Sequence, residues 1–445
     1  MGRTTETDRV RDRPQTRSIR SYFVSTSASL SASTSTPEPP TTIEQDTMGR
    51  VDRSEYSTTM VDDSLCVVMF RNPAPSAKIA AFDMDGTLIQ VKSGARFPRH
   101  KDDWMPYDEC VRHRLADLVQ QGFKIVIMSN QAGINGHHRK LSEYQEKATN
   151  IASHYDVPMQ FMFATKKDKF RKPLTGMWDH LVANTNADPE SGEPVVIDYT
   201  LSFYVGDAAG RPAGWQPGAI KDHSDADRKL AFNLNLPFFT PEEYFFSQVP
   251  YQWTMPEYSA PAILRTLLDQ APTDASTTTH ITPVALPATE MLVMVGSPAS
   301  GKSTIAAWLA AEHGYEVVNQ DTLKSLKYCI RAARAALEAG KSVVIDNTNP
   351  TAETRANYLA MAREFNVGAR VAQLMMPVPM AEHLNIYRSL TSERGRIPTI
   401  AFRSFQSRFE APDAEAEGWD EVICVPFVPR FATPELQRVA LSWLE

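Results

Sequence analysis

Two aspartates, Asp83 and Asp85, sit two residues apart in the stretch DMDGTL at 83–88, directly after the apolar run KIAAF. Like charges this close repel each other, so the pairing asks for a compensating cation. In an extended strand residues i and i+2 share a face, but where a strand ends the chain can turn so that both carboxylates approach one metal ion. A bound Mg²⁺ would relieve the repulsion and hold a phosphate group. Asp83 can then attack phosphorus to give an aspartyl-phosphate. Asp85 can protonate the leaving oxygen and later activate water. Gly86 permits a tight backbone approach, and Thr87 can add a short hydrogen bond. Other candidates follow other apolar runs. Ser129, after FKIVIM, offers a phosphate-binding hydroxyl. Lys172, in KFRKP, can offset the charge of nucleophile and phosphate. Asp207, in YVGDAAGR, can be a further Mg²⁺ ligand. Asn130 either bonds the phosphate or fixes its loop. Asp225 and Asp227, in HSDADRK, are weaker metal candidates, and helix capping suits one of them better.

A second constellation lies at GSPASGKST, 296–304. It contains the full Walker A spacing, G-x4-G-K-[ST], between the apolar run MLVMV and an alanine-rich stretch. The loop Gly296, Ser297, Pro298, Ala299, Ser300 and Gly301 would wrap nucleotide phosphates with the backbone N–H groups of its residues other than Pro298, at a helix N-terminus, and Thr304 is a further ATP-binding candidate. Lys302 would reach the β- and γ-phosphates of ATP, and Ser303 a Mg²⁺ ion. Asp321, in VVNQDTL, can align an acceptor hydroxyl and take its proton, which favours a kinase over a plain ATPase. Asp346, in VVIDNTN, is the alternative base; it could also bind Mg²⁺ through water or hold its loop. Arg388, Arg394, Arg396, Arg403 and Arg408 follow in one segment. Arginines near a γ-phosphate stabilise transition-state charge. Arg396 and Arg403 are the preferred lid candidates, and a solvated helix face suits most of the five.

The elements that must hold these groups alternate. AKIAAF, FKIVIMSN, MQFMFAT and LSFYV read as buried strands, separated by helical patterns over YDECVRHRLADLVQQG, LSEYQEKATNIASHY and TGMWDHLVANT. Such alternation predicts an α/β fold with a parallel sheet and right-handed crossovers. Every polar constellation falls just after a strand, where open α/β sheets bind ligands. A second α/β unit starts at EMLVMV and continues through YEVVNQD, SVVIDNTN and ARVAQLMM. The expected organisation is a disordered Ser/Thr-rich tail over 1–58, a first α/β domain over 59–258, a linker over 259–288 and a second domain over 289–445.

The 445 residues are too many for one ordinary domain, and a 42% hydrophobic content suffices for packed cores. A formal net charge of −7 argues against an all-over basic nucleic-acid coat, though not against a local basic groove. Cys66, Cys110, Cys329 and Cys424 are far apart without a CxxC, and read as reduced, buried, intracellular thiols. No stretch is long and apolar enough to span a bilayer, so a soluble protein is expected. The Arg- and Ser-rich start, RVRDRPQTRSIRSYF, could be a mitochondrial presequence, but Glu6, Asp8 and Asp12 count against it.

DMDGT after a strand resembles the signature of the haloacid-dehalogenase superfamily. A phosphatase of that type followed by a P-loop kinase resembles the bifunctional polynucleotide phosphatase/kinase family. Longer stretches agree: RKPLTGMWDHL, FYVGDAAGRP, DRKLAFNLNLPFFTPEEYF, NQDTL, VVIDNTNP and FEAP, spread over about 77 to 430. The resemblance implies two reactions on DNA ends in strand-break repair. One removes a 3′-phosphate through an aspartyl-phosphate on Asp83, with Asp85 as acid/base and Asp207 as metal ligand. The other moves the γ-phosphate of ATP to a 5′-hydroxyl, with Lys302 and Ser303 serving ATP and Asp321 as base. It implies Mg²⁺ as cofactor, DNA ends as partners, a monomer and a nuclear location; the Arg- and Ser-rich N-terminus leaves a mitochondrial pool possible beside it. RNA ends or a small phosphorylated metabolite would use the same motifs. Animal members carry a forkhead-associated domain that docks phosphorylated repair scaffolds; residues 1–58 are too short and polar for such a sandwich, as in a shorter fungal-type form. KKDKFRK at 166–172 and ARFPRHKDDW at 95–104 could track a DNA backbone, with Phe97 or Trp104 stacking a base and ordinary packing as the alternative for Trp104.

Overall fold

A computed structural model describes residues 55–131, 138–254, 256, 258–270, 281–283 and 288–445. Residues 1–54, and with them most of the expected tail and the presequence reading, lie outside the described residues.

The first unit is built on a seven-stranded sheet in the order β1-β2-β7-β6-β3-β8-β9. Its strands are β1 (Tyr56–Val61), β2 (Leu65–Phe70), β3 (Ile79–Phe82), β6 (Lys124–Asn130), β7 (Met159–Ala164), β8 (Phe203–Val205) and β9 (Phe238–Phe239). A ribbon of β4 (Ile89–Gln90) and β5 (Met105–Pro106) brackets the loop 91–104. β7, β6, β3, β8 and β9 are parallel, as expected. The hairpin β1–β2 is an addition: it joins β7 antiparallel, and its turn is made by Asp62 and Asp63 at positive φ. β1 begins inside the stretch expected to be tail, so order starts before residue 59.

Successive strand residues point to opposite faces, and the two faces have separate cores. Ala80, Phe82, Ile125, Ile127, Phe161 and Phe163 pack under α1 (Cys110–Gln120) and α2 (His138–Tyr155). Ile79, Ala81, Val126, Met128 and Met162 pack under α3 (Gly176–His180) and α4 (Ala226–Leu234). These strands read as near-continuous apolar runs because both faces are covered. α5 (Pro241–Phe246) adds Tyr244 and Phe245 to the first face, held by a capping box between Thr240 and Glu243.

The second unit is a five-stranded, all-parallel sheet in the order β11-β12-β10-β13-β14. The strands are β10 (Glu290–Val295), β11 (Glu316–Val318), β12 (Val343–Ile345), β13 (Gly368–Leu374) and β14 (Glu421–Val425). α7 (Lys302–His313) covers one face. α9 (Leu326–Glu338) and α10 (Ala352–Glu364) cover the other. The one-turn α8 (Gln320–Leu323) follows β11, and α13 (Ala414–Glu417) precedes β14.

The expected linker holds a helix, α6 (Ala260–Gln270). Its Leu264 is fully buried, in a cluster shared with α11 (Val378–Thr391), α12 (Thr399–Arg408) and α14 (Pro434–Ala440). Residues 271–280 and 284–287 of that linker lie outside the described residues. The four cysteines are free, but only Cys66 and Cys329 are buried; Cys424 is exposed, against expectation. Among the described residues no helix is long and apolar enough to cross a membrane.

Candidate active sites

β3 ends at Phe82, and the ladder runs one bond further, from the Asp83 N–H to the Val205 carbonyl (2.8 Å). The chain then turns tightly, with Gly86 N–H bonding Ile89 O (2.8 Å) and Leu88 N–H bonding Met84 O (3.0 Å). Gly86 has φ +81°, and a Cβ there would lie 2.5 Å from Asp207 Oδ2. Only glycine lets the two loops meet this closely.

Asp83, Ser129 and Asp207 thus stand at the C-terminal ends of three adjacent strands, at the point where the sheet order reverses. Lys172 reaches the same place. Its ammonium bonds Asp83 Oδ1 (2.6 Å), Asp227 Oδ1 (2.7 Å) and the Tyr204 hydroxyl (3.0 Å), all in buried positions. Asp83, Asp207 and Asp227 bring one oxygen each within 4.8 Å of one another. Burial pushes the Asp83 carboxyl up to about 7; Lys172 opposes that shift, while Asp227 and Asp85 add to it. Burial also raises Asp207, as do the negative charges of Asp83 and Asp227. Burial alone would lower Lys172, but Asp227 and Asp83 outweigh it and hold its ammonium charged.

This donor set fits a hard divalent cation: three carboxylates converge, and Asp207 Oδ1 is buried with no hydrogen-bond partner among the described residues. Asp85 departs from expectation. Its side chain is not in the cluster; Oδ1 pairs with buried Lys147 on α2 (3.0 Å) and Oδ2 accepts from Gln131 (2.7 Å). Gln131 also donates to Ser129 Oγ (2.9 Å). Asp227 takes the place expected of Asp85, and it is bound by Lys172 and by the Ala208 N–H (3.0 Å) rather than capping a helix. Asp225 stands at the N-cap of α4 without a capping bond and pairs with Lys229 instead (2.9 Å). Asn130 fixes the loop: its side chain accepts from Lys172 N–H (2.9 Å) and donates to Lys172 O (3.1 Å). Thr87 Oγ1 is buried without a partner among the described residues, so the expected hydrogen bond is not made.

Sequence reasoning missed Lys147, Gln131 and Tyr204. Lys147 carries a readable signal, because it occupies the face of α2 that also holds Tyr144, Ala148 and Ile151, where an apolar residue belongs.

In the second unit β10 runs into the loop 296–301 and α7 starts at Lys302, as expected. Gly301 at the N-cap has φ +96°, and Ala299 is also left-handed. Lys302 is buried and folds back on its own loop, donating to Gly296 O (3.0 Å) and Ser297 O (2.7 Å). Burial lowers it to about 8, against the pull of Asp346 and then Asp321. Ser303 and Thr304 lie exposed in the first turn. Asp321 is exposed on α8, whose N-cap Asn319 also ties Asp346 in place (2.9 Å to Oδ2). Asp346 is the buried one of the two acids. Ala299 packs against the cluster of α6, α11, α12 and α14. Arg396 and Arg403 line one pocket of about 370 Å³ between α11 and α12, where Arg396 pairs with Glu445 (2.5 Å). Arg388 is half-buried and bonded to Asn385 (3.1 Å).

Of the two basic stretches, Lys166 and Lys167 are exposed, Lys169 pairs with Asp62 (2.7 Å), and Lys172 belongs to the site. Phe97 is 71% exposed with the Arg96 guanidinium 5.4 Å from its ring, whereas Trp104 is packed edge-on against His154.

A mostly parallel sheet with an aspartate pair and Asp207 at its strand ends, met there by Lys172 and by Asp227 from α4, joined to a sheet whose central strand feeds a phosphate-binding loop, defines a HAD-like phosphatase followed by a P-loop kinase. Residues 78–245 match the family model "Polynucleotide kinase 3 phosphatase", and residues 291–328 and 324–412 match an AAA domain. The bifunctional polynucleotide phosphatase/kinase of Schizosaccharomyces pombe is 38% identical over 82% of this chain and 84% of its own. A protein of Acanthamoeba polyphaga mimivirus named for the same pair of activities is 31% identical over 79% of this chain and 85% of its own. A polynucleotide 3′-phosphatase of Saccharomyces cerevisiae is 38% identical over 38% of this chain and 87% of its own. The chain belongs to the bifunctional polynucleotide phosphatase/kinase family, with polynucleotide 3′-phosphatase and 5′-kinase activities.

Proposed function

We propose that the chain processes DNA ends in strand-break repair, acting as a monomer in the nucleus, with Asp83 as phosphatase nucleophile and Asp321 as kinase base. The observation that carries the phosphatase half is the convergence of Asp83, Asp207 and Asp227 around Lys172 at the strand ends. Asp83, Asp207 and Asp227 would hold Mg²⁺, which when bound supplies charge for the phosphate oxygens and keeps the carboxylates ionised. Lys172 neutralises the nucleophile and the incoming phosphate. Asp83 attacks phosphorus in line with the 3′-oxygen, the phosphorus–oxygen bond breaks, and Asp85 gives its proton to the leaving 3′-oxygen. Asp85 then takes a proton from water as water attacks the aspartyl-phosphate, which returns Asp83 and releases phosphate. Lys147 and Gln131 fix the Asp85 side chain for both transfers.

In the kinase half the loop 296–301 and Lys302 bind the phosphates of ATP, and Ser303 would hold its Mg²⁺. Lys302 must leave its loop carbonyls to reach them, and burial makes its ammonium eager for an anion. Asp321 aligns the 5′-hydroxyl and accepts its proton, and exposure on α8 leaves it open to a large substrate. Asp346, buried and tied to Asn319, suits the alternative role of holding the loop. Arg396 and Arg403 are the proposed lid. Phe97, exposed in the loop between β4 and β5 that follows DMDGT in the chain, would stack a base of the DNA end, and Arg96, Lys166 and Lys167 would track its backbone.

The test is 3′-phosphate release and 5′-phosphorylation on nicked DNA, against RNA ends and sugar phosphates, at two salt concentrations. The DNA reactions should be fastest and should weaken steeply with salt. Equal turnover of sugar phosphates with a flat salt response would sink this reading.

A further inference from the structure

The main chain of Lys172 is gripped on one side by Asn130, from the end of β6. The next residue is gripped on the other side by Asn233, on α4, whose Nδ2 donates to Pro173 O (2.8 Å). Asn233 does more than this. The same Nδ2 donates to Trp443 O (2.8 Å), and Oδ1 accepts from Trp443 N–H (2.7 Å). The amide thus reads the main chain of residue 443 as Asn130 reads that of residue 172.

Trp443 follows the kinase sheet and α14 in sequence, and its segment is rooted in the kinase unit. Ala440 is fully buried in the cluster with α6, α11 and α12, and its carbonyl meets the buried His383 Nε2 on α11 (2.7 Å). Arg265 on α6 donates to Leu441 O (2.9 Å). On the far side Lys229 of α4 lies 4.9 Å from the Trp443 ring. An unbroken chain of bonds therefore runs from the kinase helices through Trp443 and Asn233 to the backbone that carries Lys172.

We propose that Asn233 is a positioning residue of the phosphatase reaction, and that the segment around Trp443 completes the phosphatase site from the kinase side. Lys172 has three partners around one ammonium, so a shift of its backbone spoils all three contacts together. A misplacement of about 1 Å at a reacting group can cost up to about a hundredfold in rate. Asn233 touches neither substrate nor phosphate in this scheme; it acts through Pro173. The proposal rests on the reading of Lys172 given above.

The experiment measures steady-state phosphatase kinetics of the full chain on a 3′-phosphorylated oligonucleotide, with 5′-kinase activity in the same preparations. The variants are Asn233→Ala, Trp443→Pro (which removes the N–H that Asn233 accepts), their double, and Lys172→Met as reference. Each single variant should lose about tenfold in phosphatase kcat with KM within about twofold, and the double no more than the larger single loss. Asn233→Ala should keep its kinase rate within about twofold, which also reports that the chain is folded. Should Asn233→Ala fail to fold, Asn233→Asp takes its place, because it keeps the size and sets a carboxylate against the two carbonyls; it must show the same kcat loss. Phosphatase kcat at the wild-type level in either single variant, or losses that multiply in the double, would overturn the proposal while an inactive Lys172→Met leaves the reading of Lys172 standing. An active Lys172→Met would instead overturn that underlying reading.

Discussion

The nucleophile proposed at Asp83 has to be ionised to attack phosphorus, and burial works against this. Its carboxyl rises from 3.8 to about 7, and Asp207 rises with it. Both groups bind protons more tightly in the folded chain than in the unfolded one. Their contribution to stability is therefore full below the unfolded value and is lost as pH rises through the folded values, for Asp83 through about 7. A divalent cation removes that penalty, so Mg²⁺ should raise the melting temperature more at pH 8 than at pH 5, and Asp207→Asn should abolish most of the difference. Equal shifts at both pH values would contradict the three-carboxylate site. Lys147 gives a second expectation. It is buried against Asp85, and Lys147→Met should lower phosphatase kcat by about ten- to a hundredfold by freeing the acid/base, with kinase turnover unchanged as the control. At this scale the sequence named Asp83, Asp85 and Asp207 first and Asp227 only as a weaker candidate, and it did not show how they pair. Asp83 and Asp85 are neighbours in the chain, yet Asp85 belongs to Lys147 and Asp227 to the cluster, because side-chain partners are set by how α2 and α4 dock on the sheet.

Elements whose two faces are both covered were the easiest to read. IAAF, KIVIMSN, MQFMFA and EMLVMV are near-continuous apolar runs and form the central strands. β1 is different: its middle four residues are exposed, so YSTTMV looks like a continuation of the Ser/Thr-rich tail. α6 hid for another reason. Pro261 and the Pro/Thr-rich flank suggest a linker, but proline is tolerated in the first turn of a helix, and the stripe containing Leu264 continues from there. Leu264 packs with Met380 and Phe402, so α6 is part of the kinase unit and not a spacer. Leu264→Ala should cost about 2–5 kcal/mol in that unit, seen as an earlier thermal transition with loss of kinase activity first. An unchanged melting profile would return α6 to the role of a tether.

At the scale of the whole molecule the two halves carry opposite reactions on one chain, and they share a seam at α4, α6 and the segment after α14. The motifs made both reactions legible, since DMDGT and GSPASGKST each lie within one strand–loop stretch of the sequence. The seam was not legible, because Asn233 and Trp443 are 210 residues apart and neither belongs to a motif. A formal charge of −7 likewise says nothing of where Arg96, Lys166 and Lys167 sit. The central claim is that each reaction has its own site with its own indispensable group. The most direct test is to assay both activities in Asp83→Ala and in Lys302→Ala. Asp83→Ala should abolish 3′-phosphate release and leave 5′-phosphorylation intact, and Lys302→Ala should do the reverse; either substitution silencing both activities equally in a folded protein would contradict the account.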